Sequence, residues 1–248
     1  MTSARARALY ERGDLDAAIQ ALNEEVRDNP TDPSRRTFLF ELLAFAGEWD
    51  RAEKQLDVLA RDGENVEMGA LVYRSALHAE KERDEMFSSG AYPQGDSGPP
   101  AVSGTLNGKP FKILEDADPR LGARLEVYAA GQYTWLPLEH VAAIRAEEPK
   151  RLRDLLWVPA QVIPGPRFEE MELGEVLIPA LNPGSHRHPE GSVRLGRETR
   201  VEALDGGDES LYGPKLFLMD DDVVPLLDIR ELVIDQPSDS AGADADQD

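Results

Sequence analysis

The chain has 248 residues, 41% of them apolar, no cysteine, and a formal net charge of −21 from 27 basic and 48 acidic side chains. That length suffices for one large or two modest hydrophobic cores. The charge disfavours phosphate backbones and anionic lipid heads as partners, and the missing thiols exclude disulfides, thiol catalysis and thiolate metal sites.

A cysteine-free chain suits a reducing cytosol. The opening MTSARARALYERGD lacks the apolar core of a secretion signal, and nowhere do about 18 apolar residues run together. Neither a cleavable leader nor a membrane span is expected. Residues 1–88 hold 12 basic and 19 acidic side chains and the remainder 15 and 29, so the acid excess is spread along the chain with no basic stripe interrupting it.

The first clear element follows Gly13-Asp14. Leu15, Ala18, Ile19, Leu22 and Val26 fall on one face at helical spacing, and Asn29-Pro30 ends the run. Thr31-Asp32-Pro33 then supplies capping candidates and a first-turn proline for a helix that stops at Gly47. Phe38, Leu39, Phe40, Leu42, Leu43 and Phe45 cover nearly its whole circumference, so it must be covered on several sides. Trp49, Ala52, Leu56 and Leu59 predict a single-faced helix ending near Gly63, and a further helix is expected from Val66 to about Phe87.

Within this region GDLDAA at Gly13 recurs as GEWDRA at Gly47, a spacing of 34 residues. That is the period of tetratricopeptide repeats, in which antiparallel helix pairs stack to bury what one pair leaves exposed. The match is divergent: Glu64 stands where a second terminating proline belongs, and Phe40 where a small residue is usual. A plain helical bundle is the alternative. A repeat stack presents a concave surface for peptides, which makes this region a protein-binding module.

Ser88 to Gly104 is rich in Ser, Gly and Pro and reads as a linker. Beyond it KPFKILE, ARLEVYA, QYTWLP, GEVLIPA, SVRLGRETRVEAL, KLFLMD and ELVID are short, alternating and punctuated by Gly, Pro or Asp, as strands are. The run EHVAAIRAEEPKRLRDLLW fits either a helix broken at Pro149 or a strand followed by a short helix. RLGARLEV and RLGRETRVE share a start, and WLPLEHV echoes VVPLLDI, which permits an internal duplication. The expected fold class is α+β: tetratricopeptide-like helical hairpins at 1–88, a linker at 89–105, a mainly β domain at 106–234 and an acidic, disordered tail at 235–248.

Chemistry is sparse. His186 and His188 form the one close histidine pair, but in the Pro/Gly-rich turn PGSHRHPEG, while His78 and His140 are isolated. Asp220-Asp221-Asp222 and Glu115, Asp116 and Asp118 lack calcium-loop spacing and read as turn residues. No phosphate-loop, dinucleotide or nucleophile-elbow motif is present. No catalytic residue, cofactor or metal is expected.

Several segments in order are similar to the ImpE family, also called TagJ, the accessory proteins of bacterial type VI secretion systems. They are RRTFLFELLAFAGEWDRAEKQLDVLA, DADPRLGARLEV, YTWLPLEHVAAI, PKRLRDLLWVPAQV, LIPALNPGS, RLGRET and VVPLLDIRELVI. RVEALDGGDESLYGPKL and the HRHPEG turn depart from the family pattern. The resemblance implies a non-catalytic cytoplasmic role: binding a helix of the small sheath subunit, TssB, in connection with sheath handling by the ClpV ATPase. Such a helix would lie in a groove between repeat helices, for which Arg36, Phe40, Glu41, Phe45, Leu71 and Arg74 are the expected contacts. The net acidity favours a partner segment bearing Lys or Arg. Two other classes fit the sequence: a repeat-type adaptor or co-chaperone unrelated to secretion, and a ligand-binding or enzymatic β domain.

Overall fold

In the computed structural model the described residues are 4–62, 64–91, 100–168, 173–203 and 209–236. Residues 92–99 of the expected linker and nearly all of the acidic tail lie outside them.

Five helices open the chain: α1 (Ala4–Glu11), α2 (Leu15–Asp28), α3 (Pro33–Phe45), α4 (Trp49–Leu59) and α5 (Glu64–Ser89). Their ends follow local chemistry. Asp14 accepts from Ala17 N at 3.3 Å, and Asp32 from Ser34 N and Arg35 N at 3.0 and 3.1 Å, so both carboxylates satisfy amide donors left over at a helix start. The repeated glycines Gly13 and Gly47 sit at φ +83° and +71°, a left-handed turn that other residues adopt at a cost. On α2 the expected face, Leu15, Ala18, Ile19, Leu22 and Val26, is buried, and α3 is buried continuously from Phe38 to Phe45.

The rest is mainly antiparallel sheet. The strands are β1 (Gly104–Leu106), β2 (Lys109–Phe111), β3 (Leu114–Asp116), β4 (Arg124–Ala129), β5 (Gln132–Pro137), β6 (Val141–Ala146), β7 (Trp157–Pro164) and β8 (Glu175–Pro179). They continue with β9 (Arg200–Ala203), β10 (Glu209–Tyr212), β11 (Leu216–Met219), β12 (Asp222–Pro225) and β13 (Glu231–Ile234). Eight of them form one sheet in the order β2-β1-β13-β6-β7-β8-β4-β5, with a three-stranded sheet β12-β11-β3 and a β9-β10 hairpin beside it. The ambiguous run 139–157 resolves as strand β6 followed by a 3-10 turn at Leu152–Leu155. The expected strand SVRLGRETRVEAL is only partly one: Gly191–Arg194 forms a short helix, α6, and β9 begins at Arg200. Gly191 approaches the Gly13 carbonyl so closely that a Cβ would lie 2.1 Å from it, so tertiary contact with the turn before α2 sets that local shape. WLPLEHV and VVPLLDI do share a conformation, each being a strand ending in Pro (Pro137, Pro225), a 3-10 turn and a further strand, whereas the two RLG segments differ, one leading into β4 and the other out of the helix α6.

Both faces of the large sheet are covered. Alternation along β4 and β7 sends Leu125, Val127, Val158 and Ala160 into a core completed by Leu114, Phe217 and Met219 of the small sheet. On the opposite face Tyr128, Tyr133 and Trp157 join the helical core formed by α2 to α5. Helices and one face of the sheet therefore share a core, separate from the core on the other face.

Candidate partner-binding surface

The six expected contact residues separate into groups. Phe40 and Phe45 are each 1% exposed. The Phe40 ring lies 5.9 Å from Tyr73 of α5 and 6.3 Å from Trp157 of β7, so the chain's own sheet occupies this side of α3. Glu41 is buried beside them and accepts from Arg153 Nη1 at 2.9 Å. Burial raises its carboxyl above the usual range, with Arg153 opposing. Arg36 bridges helix ends, donating to Gln55 Oε1 at 2.8 Å and to the Pro30 carbonyl at 2.7 Å. Arg74 holds Asp57 at 2.8 Å, tying α5 to α4.

Leu71 has the opposite environment. It is 56% exposed and stands with Met68 (67%) and Val72 (47%) on the outer face of α5. Positions i, i+3 and i+4 form one stripe, the pattern with which a helix meets another helix. Large apolar groups gathered on one exposed stripe mark a contact surface more often than scattered ones do.

Where α5 crosses the sheet lies a buried charged network that sequence reasoning missed. Arg83 donates Nε and Nη2 to the two Glu126 oxygens at 2.7 and 2.9 Å, and Nη2 also to the Leu181 carbonyl at 2.8 Å. Lys215 Nζ reaches Asp116 and Glu126, each at 2.6 Å, with side-chain exposures of 0–1%. Tyr133 OH donates to Glu126 at 2.5 Å, Trp135 Nε1 donates to Tyr133 OH, and Trp157 Nε1 donates to Glu80 at 2.9 Å. Burial alone raises the Glu126 carboxyl, but Arg83 and Lys215 outweigh it and bring it to about 2. For Asp116 burial prevails over Lys215 and lifts it to about 6. Burial likewise raises Glu80. The one sequence hint is Glu126 itself, an acid between Leu125 and Val127 in an apolar strand.

Other polar clusters are engaged in shaping loops. Asp220, at φ +52°, accepts from Lys112 N and Ile113 N, and Asp118 accepts from Arg120 Nε and Nη2. The His186 ring sits 4.9 Å from Trp49, where burial lowers it to about 4, and His188 Nδ1 accepts from Glu190 N. Among the described residues no group of three or more His, Asp or Glu side chains has metal-binding geometry, and no helix is long and apolar enough to cross a membrane.

Comparison with known proteins agrees with this architecture. Residues 108–233 match the family model of the ImpE protein, and residues 6–72 that of a tetratricopeptide repeat. The chain is 33% identical to a Pseudomonas aeruginosa protein described as type VI secretion system accessory component TagJ, over 92% of this chain and 90% of that one. A crystal structure of protein VPA1032 from Vibrio parahaemolyticus superposes with a TM-score of 0.82 at 20% identity, covering 94% of this chain and 98% of the other, which establishes a common fold.

Proposed function

The chain belongs to the ImpE family, and from that premise we propose that it is a non-catalytic accessory protein of a bacterial type VI secretion system. It acts in the cytoplasm as an adaptor for a helix of a TssB-like small sheath subunit, linked indirectly to sheath handling by a ClpV-type ATPase. The observation that carries this reading is the exposed Met68, Leu71 and Val72 stripe on the last repeat helix, beside Arg74. Phe40, Glu41 and Phe45 support the site from within, since they fix the sheet behind α3 and α5. An amphipathic helix laid on the stripe would bury its apolar face against Leu71, with polar rim contacts setting register.

The test is a pull-down from native lysate with the full chain and with Leu71→Asp. We expect the wild type to recover a TssB-like sheath subunit and the variant to lose it. Equal recovery by both would remove the α5 stripe from the model. Recovery of unrelated peptides without any sheath component would favour a general adaptor.

A further inference from the structure

We propose a second interaction surface: a cationic groove between the helical region and the 149–155 turn that accepts an acidic, leucine-bearing segment of a protein partner. The groove has a volume of about 680 Å³ and is lined by Arg7, Tyr10, Ser34 and Thr37 from the helical region and by Lys150, Arg151 and Arg153 from the turn. Phe38, Leu152 and Leu155 add apolar lining, and Glu41 is the one carboxylate of that lining among the described residues. The sequence shows no basic stripe, because Arg7 and the PKRLR run are far apart in the chain; folding brings them together.

Charge accounting within the groove identifies the occupant. Arg153 is neutralised by Glu41 at 2.9 Å, and Lys150 has an exposed pairing with Glu147 that water and salt weaken. The exposed guanidinium groups of Arg7 and Arg151 have no carboxylate partner among the described residues. A guanidinium binds a carboxylate through two parallel hydrogen bonds, a match that a simple point charge lacks. The surrounding chain at −21 repels a dense polyanion such as nucleic acid, which carries one charge about every 1.7 Å of duplex. A segment with a few carboxylates faces far less repulsion, and the half-buried Leu152 and Leu155 of the lining accept its leucines. The surface is distinct from the α5 stripe and stands independently of the sheath assignment.

The test uses the full chain and a short fluorescein-labelled peptide of Glu, Leu and Ala, with a twin carrying Lys in place of Glu, read by fluorescence anisotropy over a salt series. The Glu peptide binds, its affinity falls as salt rises, and the Lys peptide does not compete. Arg7→Glu combined with Arg151→Glu weakens binding at least about tenfold, or ~1.4 kcal/mol, while Arg7→Lys with Arg151→Lys retains part of it. Both residues are exposed, and unchanged circular dichroism confirms that the fold persists. Leu71→Asp leaves this peptide's affinity unchanged, so loss of sheath capture and loss of groove binding are read separately. Binding that is insensitive to the double reversal, equal binding of the Lys peptide, or preferential binding of a single-stranded RNA oligonucleotide would each overturn the proposal.

Discussion

Replacing Arg83 by Ala tests whether the buried network fastens helices to sheet. The Arg83 side chain is 5% exposed and that of Glu126 0%, so truncation leaves a carboxylate in the interior with only Lys215 and Tyr133 to satisfy it. Removing one member of a buried ion pair costs about 3–5 kcal/mol, and the Leu181 carbonyl also loses its donor. These terms overlap, so we expect a total near the same range, a large share of a typical domain's ~5–15 kcal/mol. Arg83 lies on α5 and Glu126 on β4, so the loss falls on the contact between the two regions. Guanidinium unfolding followed by far-UV circular dichroism and by tryptophan fluorescence should show coincident transitions for the wild type. In Arg83→Ala the midpoint falls and the two probes separate, since Trp135 and Trp157 report the helix-to-sheet contact. An Arg83→Met, Glu126→Leu double variant should be more stable than Arg83→Ala, because it also removes the carboxylate that truncation strands, while Lys215 keeps Asp116 as its partner. A single-variant loss under about 1 kcal/mol, with probes still coincident, would refute the idea that this network couples the regions.

The helical region was legible because its determinants are local. Capping acids at Asp14 and Asp32, left-handed glycines at Gly13 and Gly47, and apolar spacing all act within a few residues. Strands were legible where alternation was clean, as in β4 and β13, whereas β7 was not among the expected strands. The all-round apolar character of α3 announced that something covers it, but its cover, Trp157 of β7, comes from a strand more than a hundred positions away. Hence Phe40 and Phe45 fit core packing as readily as a groove or more so, and only Leu71 remains on the surface among the expected apolar contacts. The charged network was invisible for the same reason. Asp116 and Lys215 stand 99 residues apart, and nothing near either shows that the sheet will bring them together. Residues 192–199 were expected to be strand because their apolar pattern is weak, and the helical turn found there is set instead by contact with Gly13.

Phe40→Ala should destabilise by about 3–5 kcal/mol in denaturant titrations, whereas Leu71→Ala should stay within about 0.5 kcal/mol and show its effect in partner binding alone. Gly47→Ala combines a positive φ with a Cβ placed 2.3 Å from His186 Cδ2, and differential calorimetry should register a loss of about 1–3 kcal/mol. The dependence of stability on pH follows from two carboxyls of opposite sign. Glu126 titrates at about 2 when folded, against an ordinary value of 4.5, so its contribution is complete above pH 4.5 and is lost as pH falls through about 2. Asp116 is raised by burial from 3.8 to about 6, so the native chain holds the additional proton and its contribution declines as pH rises across that window. Unfolding midpoints measured from acid to neutral pH should therefore lose part of their acid slope in Glu126→Gln and part of their decline between about 4 and 6 in Asp116→Asn. If Glu126→Gln kept the full wild-type slope below pH 4.5, other carboxylates would be responsible for acid unfolding and the two cations would not hold Glu126 ionised as the geometry requires.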